Sequence, residues 1–286
     1  MNKSMVWFFC VCFLCCNNEN HKNSVITSFE EQELEAKPFP RNESKKANLT
    51  LENIPNSSLD ESPVSQKVDK NILLGKFDYK KDTNFSIVNS KYSSKTIYLR
   101  NEVLIKFDEM YNAALKNGIK LNIISGTRSF YHQKSIWERK WDKNIKNMDS
   151  ISAVKEILKY SSMPSTSRHH WGTDIDLNNL ENSYFERGEG KKIFDWLTEN
   201  AIKYGFHMTY DDQNKSKRSG YKMEKWHWSY MPIASQFLMQ YKESVNCKDI
   251  STFKGSEFAC HQEINVIKNF VMGINNDYKK LINATK

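Results

Sequence analysis

The sequence lacks features that mark several common protein classes. Four of its six cysteines lie in the first 16 residues, which leaves only Cys247 and Cys260 for the rest of the chain. The apolar run Met5–Cys16 is too short to span a bilayer as a mature helix. The formal charge of +8 comes with lysines spread along the whole chain, without an arginine-rich stripe or a nucleic-acid recognition motif. We therefore expect no cysteine-rich structural zinc site and no nucleic-acid partner.

The first 70 residues are predicted to export and tether the protein. Lys3 followed by the apolar run is typical of an export signal over residues 1–16. Cys15 or Cys16, followed by four polar residues, favours a lipid-modified amino terminus, and an ordinary cleaved signal or an uncleaved anchor is the alternative. Residues 17–70 are polar, contain four prolines and lack an apolar period, which predicts a disordered tether. We expect an exported, membrane-tethered protein.

The body of the chain mixes helix and strand patterns, which predicts an α+β fold with a small antiparallel sheet flanked by helices. Leu99–Lys116 has apolar residues at helical spacing, whereas Asp174–Leu177 and Trp226–Tyr230 alternate as strands do. We place one domain at residues 71–245 and a helical extension at residues 246–286. The other predicted elements are a strand at Lys120–Ser125 and helices at Tyr131–Trp141, Asp149–Tyr160, Ile193–Tyr204, Ala234–Tyr241 and Gln262–Ile282.

Cys247 and Cys260 are separated by a short loop. Two cysteines so placed in an exported chain are expected to form a disulfide. Two free, buried thiols are the alternative.

Two short stretches hold the residues of a predicted metal site. His169 and Asp176 lie in the first stretch, and His227 lies in the second. A loop that bends back into a strand can point His169 and Asp176 at one place, and a neighbouring strand about 4.8 Å away can supply His227. Three protein ligands with an open fourth position are typical of catalytic zinc, and this ligand set favours Zn²⁺. The sequence therefore predicts a zinc site on the sheet.

The residues near these ligands predict a hydrolase. Glu224, three residues before His227, is placed to take a proton from the attacking water and to pass it to the leaving amine. Arg128, in the turn after a strand, is predicted to hold a developing oxyanion or a substrate carboxylate, with a surface ion pair as the alternative. Ser129 and Gln133 are weaker candidates for substrate hydrogen bonds.

These motifs resemble those of the VanY-type D-alanyl-D-alanine carboxypeptidases, zinc peptidases that trim bacterial cell-wall stem peptides. The resemblance spans about residues 71–245. It implies zinc ligation by His169, Asp176 and His227, and it implies peptidoglycan peptides as the substrate, in the periplasm or at the cell surface. It also implies that Glu224 is the catalytic base and that Arg128 contacts the substrate. The matching positions are Ser167, His169, Gly172 and Asp176, Glu224 and His227, Ser125-Gly126-Thr127-Arg128-Ser129 with Gln133, and Tyr204-Gly205-Phe206.

Two residues depart from the family pattern. Asp174 stands where many members carry a small residue, and it is a candidate for orienting a ligand histidine. His170 follows His169 directly, and ligation by His170 in place of His169 is an alternative.

Removal of a dipeptide and cleavage of cross-links are alternative reactions for the same centre. A non-catalytic wall-binding lipoprotein is the alternative of another class, although a binder has no use for Glu224. The oligomeric state is left open.

Overall fold

The computed structural model describes residues 67–278, so the predicted signal at residues 1–16 and most of the predicted tether lie outside the described residues. Within residues 67–278 the fold mixes helices with two small antiparallel sheets, which confirms the predicted α+β class. None of the helices in this range combines the length and the apolar character needed to cross a membrane.

Helices and strands alternate irregularly along the chain. The helices are α1 Lys70–Leu73, α2 Asn101–Lys116, α3 Phe130–Asn144, α4 Ser150–Ile157, α5 Gly188–Asn200, α6 Gln213–Ser216 and α7 Met231–Ser244. The strands are β1 Phe85–Ile87, β2 Tyr98–Arg100, β3 Ile123–Ser125, β4 Asp174–Leu177, β5 Phe206–Met208 and β6 His227–Tyr230. Short 3₁₀ turns join them at Arg168–Trp171, Asn182–Glu186, Ala201–Tyr204, Cys247–Asp249 and Ser256–Cys260.

The larger sheet has four antiparallel strands in the order β3-β4-β6-β5. Asp176 of β4 lies opposite His227 of β6 and, on its other side, opposite Ser125 of β3. Directly opposed residues in an antiparallel pair have Cβ atoms about 4.5–5.5 Å apart. The register therefore places Asp176 and His227 side by side.

Strand β4 separates polar from apolar side chains by simple alternation. Ile175 and Leu177 are fully buried in a cluster that also contains Phe107 of α2 and Leu197 of α5. Successive side chains of a strand point to opposite faces, so the two aspartates of β4 lie on the other face. Burial of the apolar face thus fixes the direction in which Asp174 and Asp176 point.

The C-terminal segment corrects one sequence prediction. The predicted helix at Ala234–Tyr241 lies inside α7, but the continuous helix predicted from Gln262 is wrong over its described part. That part has one π-helical turn, Ile267–Val271, and residues 273–275 are not helical. The backbone N–H of Asn275 instead donates to the carbonyl of Thr209 at 2.9 Å, just beyond β5. A tertiary contact has replaced a hydrogen bond within a helix.

Cys247 and Cys260 form the predicted disulfide, with their Cα atoms 5.3 Å apart. The residues that the bond encloses are packed rather than free, since Ile250 and Phe253 are buried in the same apolar cluster as Trp137 of α3. The disulfide therefore closes a loop within the C-terminal segment, and the buried side chains of that loop pack against the body of the fold.

Candidate metal centre

Three predicted ligands meet at one point. One ligand atom each from His169, Asp176 and His227 lies within 4.8 Å of the other two, and all three residues are buried. The Nε2 atom of His169 is 3.3 Å from Oδ2 of Asp176, and Nδ1 of His227 is 3.1 Å from Oδ1 of Asp176. Tetrahedral zinc with bonds of about 2.0–2.1 Å would separate its ligand atoms by about 3.3–3.4 Å. The donor set and these two separations therefore fit a zinc ion.

His169 is oriented by the loop that carries it. It lies in the 3₁₀ turn Arg168–Trp171, and its Nδ1 atom is 2.8 Å from the carbonyl oxygen of Gly126. A carbonyl can only accept, so Nδ1 carries the proton and Nε2 keeps its lone pair toward Asp176. Burial, followed by the charge of Arg128, lowers the pKa of His169 below its ordinary value. The imidazole is therefore neutral and ready to bind a metal.

His227 is held between two carboxylates. Its Nδ1 atom faces Asp176, while its Nε2 atom is 3.0 Å from Oδ1 of Asp174. Burial alone would lower the pKa of His227, but the hydrogen bonds to Asp174 and Asp176 raise it to about 9. Burial would likewise raise the pKa of Asp176, but His169, His227 and Arg128 hold it well below its ordinary value. The ionised carboxylates of the centre therefore stabilise a positive charge placed between them.

Glu224 lies beside the three ligands, just before the turn that leads into β6. Its backbone N–H donates to the carbonyl of Tyr210 at 3.0 Å, and its Oε2 atom is 3.7 Å from Nδ1 of His227. Its side chain is 8% exposed, and burial raises the pKa of Glu224 to about 8. A carboxyl group with such a pKa can both accept and release a proton near neutral pH.

Arg128 lies in the loop after β3 and is tied to the centre through backbone and side chain. Its backbone N–H donates to the carbonyl of His169 at 3.1 Å, and its Nη2 atom donates to Oδ2 of Asp176 at 2.8 Å. Ser125 and Gln133 accept further hydrogen bonds from the guanidinium, at 2.9–3.1 Å. Arg128 therefore pairs with Asp176, a predicted metal ligand, and its guanidinium faces the centre.

Ser129 and Gln133 have partners within the protein. The Ser129 hydroxyl accepts from the backbone N–H of His132 and caps α3. Gln133 is fully buried; it accepts from Arg128 and donates to the carbonyl of Ser162 at 2.8 Å. Gln133 thereby holds Arg128 in place, and the roles of both residues toward a substrate stay predictions.

His170 points away from the centre. Its Nδ1 atom lies 2.7 Å from the carbonyl of Arg128, and its Nε2 atom accepts from the backbone N–H of Ser165 at 3.1 Å. Both ring nitrogens are therefore engaged by the backbone, and burial lowers the pKa of His170 to about 3. The arrangement favours His169 over His170 as the ligand.

The centre opens into a cleft of about 1010 Å³. Its lining is largely basic and aromatic, and it includes the three predicted ligands and Glu224. The lining includes Arg128, His132, Arg139, Lys140, Tyr160, Tyr210, Tyr221 and Trp226. A cleft of this size with cations on its wall suits an anionic peptide.

A family model supports the same interpretation. Residues 96–233 match the model described as VanY, D-alanyl-D-alanine carboxypeptidase. This part of the chain is a VanY-family domain. The match includes both stretches that carry the predicted ligands.

Similar proteins are known from several bacteria. YodJ of Bacillus subtilis is 31% identical to this chain over 140 residues, which cover 47% of this chain and 46% of YodJ. A D-alanyl-D-alanine carboxypeptidase of Enterococcus faecium is 26% identical over 257 residues, which cover 85% of this chain and 77% of that relative. A solved structure of VanYB in complex with D-alanine-D-alanine has 20% identity and a TM-score of 0.44, and it covers 65% of this chain and 92% of that chain.

Sequence reasoning missed two residues near the centre of the VanY-family domain. Arg168 is buried behind Asp174, and Tyr278 reaches Arg168 from the C-terminal segment. Arg168 directly precedes His169, so it could have been expected near the predicted metal site. An arginine is rarely fully buried without a partner, so a buried Arg168 would also have predicted a charged partner nearby. Tyr278 lies more than 100 residues away, and no local pattern connects it with the site.

Proposed function

We propose that the chain is an exported, zinc-dependent D-alanyl-D-alanine carboxypeptidase that removes the terminal D-alanine from peptidoglycan stem peptides. The observation that carries this proposal is the convergence of His169, Asp176 and His227, with Glu224 beside them, in the lining of one cleft. The VanY match over residues 96–233 supports the substrate class.

His169, Asp176 and His227 would hold the zinc through Nε2, a carboxylate oxygen and Nδ1. When bound, zinc supplies a Lewis acid and lowers the pKa of water toward 7. Asp176 and His227 come from paired strands and His169 from a tight turn, so the three donors are rigid before any ligand arrives. Such preorganisation keeps the reacting groups close without an entropy cost during the reaction.

Glu224 would act as general base and then as general acid. Water attacks the carbonyl carbon of the terminal peptide bond, and Glu224 takes the proton that the water loses. When the C–N bond breaks, the same carboxyl group gives that proton to the nitrogen of the leaving D-alanine. Its buried setting suits both steps, since a pKa near the working pH makes each transfer feasible.

Arg128 would recognise the free carboxylate of the terminal D-alanine. Its guanidinium is held by Ser125 and Gln133, and it would exchange part of its contact with Asp176 for the substrate. A planar guanidinium can bind a carboxylate through two parallel hydrogen bonds. This contact would favour peptides that end in a free carboxylate at the cleaved residue.

We propose that the enzyme works outside the cytoplasm, in the periplasm or at the surface of a bacterium. The export signal at residues 1–16, with Cys15 or Cys16 as the lipid site, would anchor it to the membrane. The tether at residues 17–70 would let the peptidase domain at residues 71–245 and the extension at residues 246–286 reach the cell wall.

A direct assay tests the proposal. The zinc-loaded full-length chain is incubated with a muramyl pentapeptide ending in D-alanyl-D-alanine, and the products are identified by mass spectrometry. We expect one D-alanine and one tetrapeptide per turnover. Release of the dipeptide would instead indicate a D,D-dipeptidase, and opening of cross-linked dimers would indicate an endopeptidase.

Two variants separate catalysis from binding. Glu224→Gln removes the proposed base, whereas Glu186→Gln changes an exposed carboxylate whose partner is the partly buried Lys225. Only Glu224→Gln should slow product release, by at least about 100-fold. If the wild-type chain binds the pentapeptide but yields no product with zinc present, a wall-binding protein is the better interpretation.

A further inference from the structure

Asp174 is a fully buried carboxylate with three side-chain partners. Its Oδ1 atom is 3.0 Å from Nε2 of His227 and accepts from Nε of Arg168 at 2.9 Å. Its Oδ2 atom accepts from the hydroxyl of Thr173 at 2.6 Å. A buried carboxylate is stable only when charged and hydrogen-bonded partners surround it, and Asp174 meets this condition. Asp174 is therefore rigidly placed behind the candidate metal centre.

The two nitrogens of His227 have separate partners. Nδ1 points to Asp176 and Glu224, at 3.1 and 3.7 Å, and Nε2 points to Asp174. A carboxylate can only accept, so Asp174 holds a proton on Nε2. Nδ1 is the nitrogen that faces the predicted ligand Asp176, so Nδ1 is the atom that would give up its proton to bind a cation. Carboxylates that hold a ligand histidine in this way set its tautomer and its ring orientation.

Arg168 fixes the position of Asp174 from the other side. The guanidinium is buried; its Nη2 atom donates to the hydroxyl of Ser229 at 2.8 Å, and it also bonds the hydroxyl of Tyr278. The rings of Trp171 and Tyr278 lie 4.8 and 5.1 Å from its central carbon. Arg168 thus connects strand β6, through Ser229, with the C-terminal segment, through Tyr278.

Tyr278 is itself fully buried and hydrogen-bonded to Ser229 at 3.2 Å. Its segment is attached to the sheet by Asn275, which donates from its backbone to Thr209 and from its side chain to Met208. The hydroxyl of Tyr278 therefore reaches Arg168 from a fixed position. The chain of contacts runs from Tyr278 through Arg168 and Asp174 to His227.

We propose that Asp174 is a positioning residue that fixes the metal-binding nitrogen of His227, and that Arg168 and Tyr278 hold Asp174 in place. Through Tyr278, the C-terminal segment therefore contributes to the geometry of the metal centre. This inference rests on the proposed zinc site. It goes beyond the ligand set, because it assigns a function in metal binding to Asp174, Arg168 and Tyr278, which do not contact the metal.

The test compares two double variants of the full-length chain that share Arg168→Met. Removing Arg168 together with the charge of Asp174 avoids leaving one buried ion without its partner, which would be strongly destabilising. In Arg168→Met/Asp174→Ala, His227 has no acceptor at Nε2. In Arg168→Met/Asp174→Asn, an amide oxygen can accept from Nε2 again.

Zinc affinity is measured by competition with a chromophoric chelator, and the visible spectrum of the Co²⁺-substituted chain reports the ligand geometry. We expect the alanine variant to bind zinc about 10–100-fold more weakly than the wild type, with an altered Co²⁺ spectrum. The asparagine variant should regain a substantial part of the affinity. Equal zinc affinities and spectra in the two double variants would overturn the positioning role.

Two single variants complete the test. Asp211→Asn breaks another arginine–aspartate pair, between the partly exposed Asp211 and the buried Arg218 at 2.7 Å, and should lower stability without changing the zinc affinity. Tyr278→Phe keeps the ring and removes the hydroxyl, and it should weaken zinc binding a few-fold. An unchanged affinity in Tyr278→Phe would exclude the C-terminal segment from the centre. If the wild-type chain itself binds no zinc, the proposed function fails, and that result is separate from any difference between variants.

Discussion

Replacing Gly172 by alanine should damage both stability and metal binding. Gly172 ends the turn that carries His169 and leads into β4, with a φ of +73°. A Cβ atom added there would lie 2.3 Å from Cε1 of Phe85 and 3.2 Å from Cγ of Arg100. Real Cβ atoms do not approach other atoms so closely, so Phe85 or the turn must move.

The expected cost has two parts. The left-handed backbone costs an alanine roughly 1–2 kcal/mol. Moving Phe85 adds overpacking of about 1–3 kcal/mol, because its ring is buried against Phe77 and Tyr79 and under the guanidinium of Arg100. The free energy of unfolding should therefore fall by roughly 2–5 kcal/mol.

Gly118 provides a matched control. It has the same φ of +73°, but an added Cβ atom would meet nothing within 4 Å. Gly118→Ala should therefore show only the backbone cost of about 1–2 kcal/mol. The difference between the two variants isolates the packing cost at Gly172.

Urea unfolding of the zinc-free chains measures the two costs, and chelator competition measures zinc affinity. Gly172→Ala should also bind zinc more weakly, since Arg100 bonds the carbonyls of Trp171 and Gly172 and would transmit a shift to His169. Gly118→Ala should bind zinc as the wild type does. Equal unfolding midpoints for the two variants would refute the packing argument.

Three further predictions concern the centre and its surroundings. Glu224→Gln should keep its zinc affinity but release D-alanine at least about 100-fold more slowly, as product analysis at saturating substrate would show. Removing zinc with a chelator should lower the melting temperature, and zinc at 100 times its Kd should restore about 2.7 kcal/mol of stability. Burial lowers the pKa of His170 to about 3, whereas an unfolded imidazole titrates near 6.5, so only the unfolded chain gains this proton as the pH falls. Stability should then drop by roughly 2 kcal/mol between pH 7 and pH 5 from this residue, and His170→Gln should flatten that part of the urea-midpoint profile.

Local patterns were sufficient to predict the elements that form the centre. The alternation in Asp174–Leu177 gave the strand, its bounds and the face on which the aspartates lie, because Ile175 and Leu177 must be buried. The helical spacing before Lys116 gave α2, although Leu99 lies in β2 and the helix begins at Asn101. The spacing between His169 and Asp176 was informative because one loop and one strand determine it.

Contacts between distant segments were not predictable in this way. The three-residue strands β1 and β2 are too short to show alternation, yet Phe85 and Arg100 support the turn that carries His169. The apolar residues after Gln262 resemble a helical pattern, but Ile264, Val271 and Ile274 are buried in the same cluster as Trp171. Their spacing reflects tertiary burial rather than one face of a single helix.

The departure at Asp174 shows how one local change requires others. A carboxylate at this position, pointing into a buried face, would lose its permanently charged partner without Arg168. Arg168 in turn is fully buried and needs acceptors and ring faces, which Ser229, Trp171 and Tyr278 provide. Tyr278 can do so because the C-terminal segment is attached beside β5 through the backbone of Asn275. Asp174, Arg168 and the C-terminal segment therefore form one structural unit. A change in any one of them should alter the orientation of the His227 imidazole.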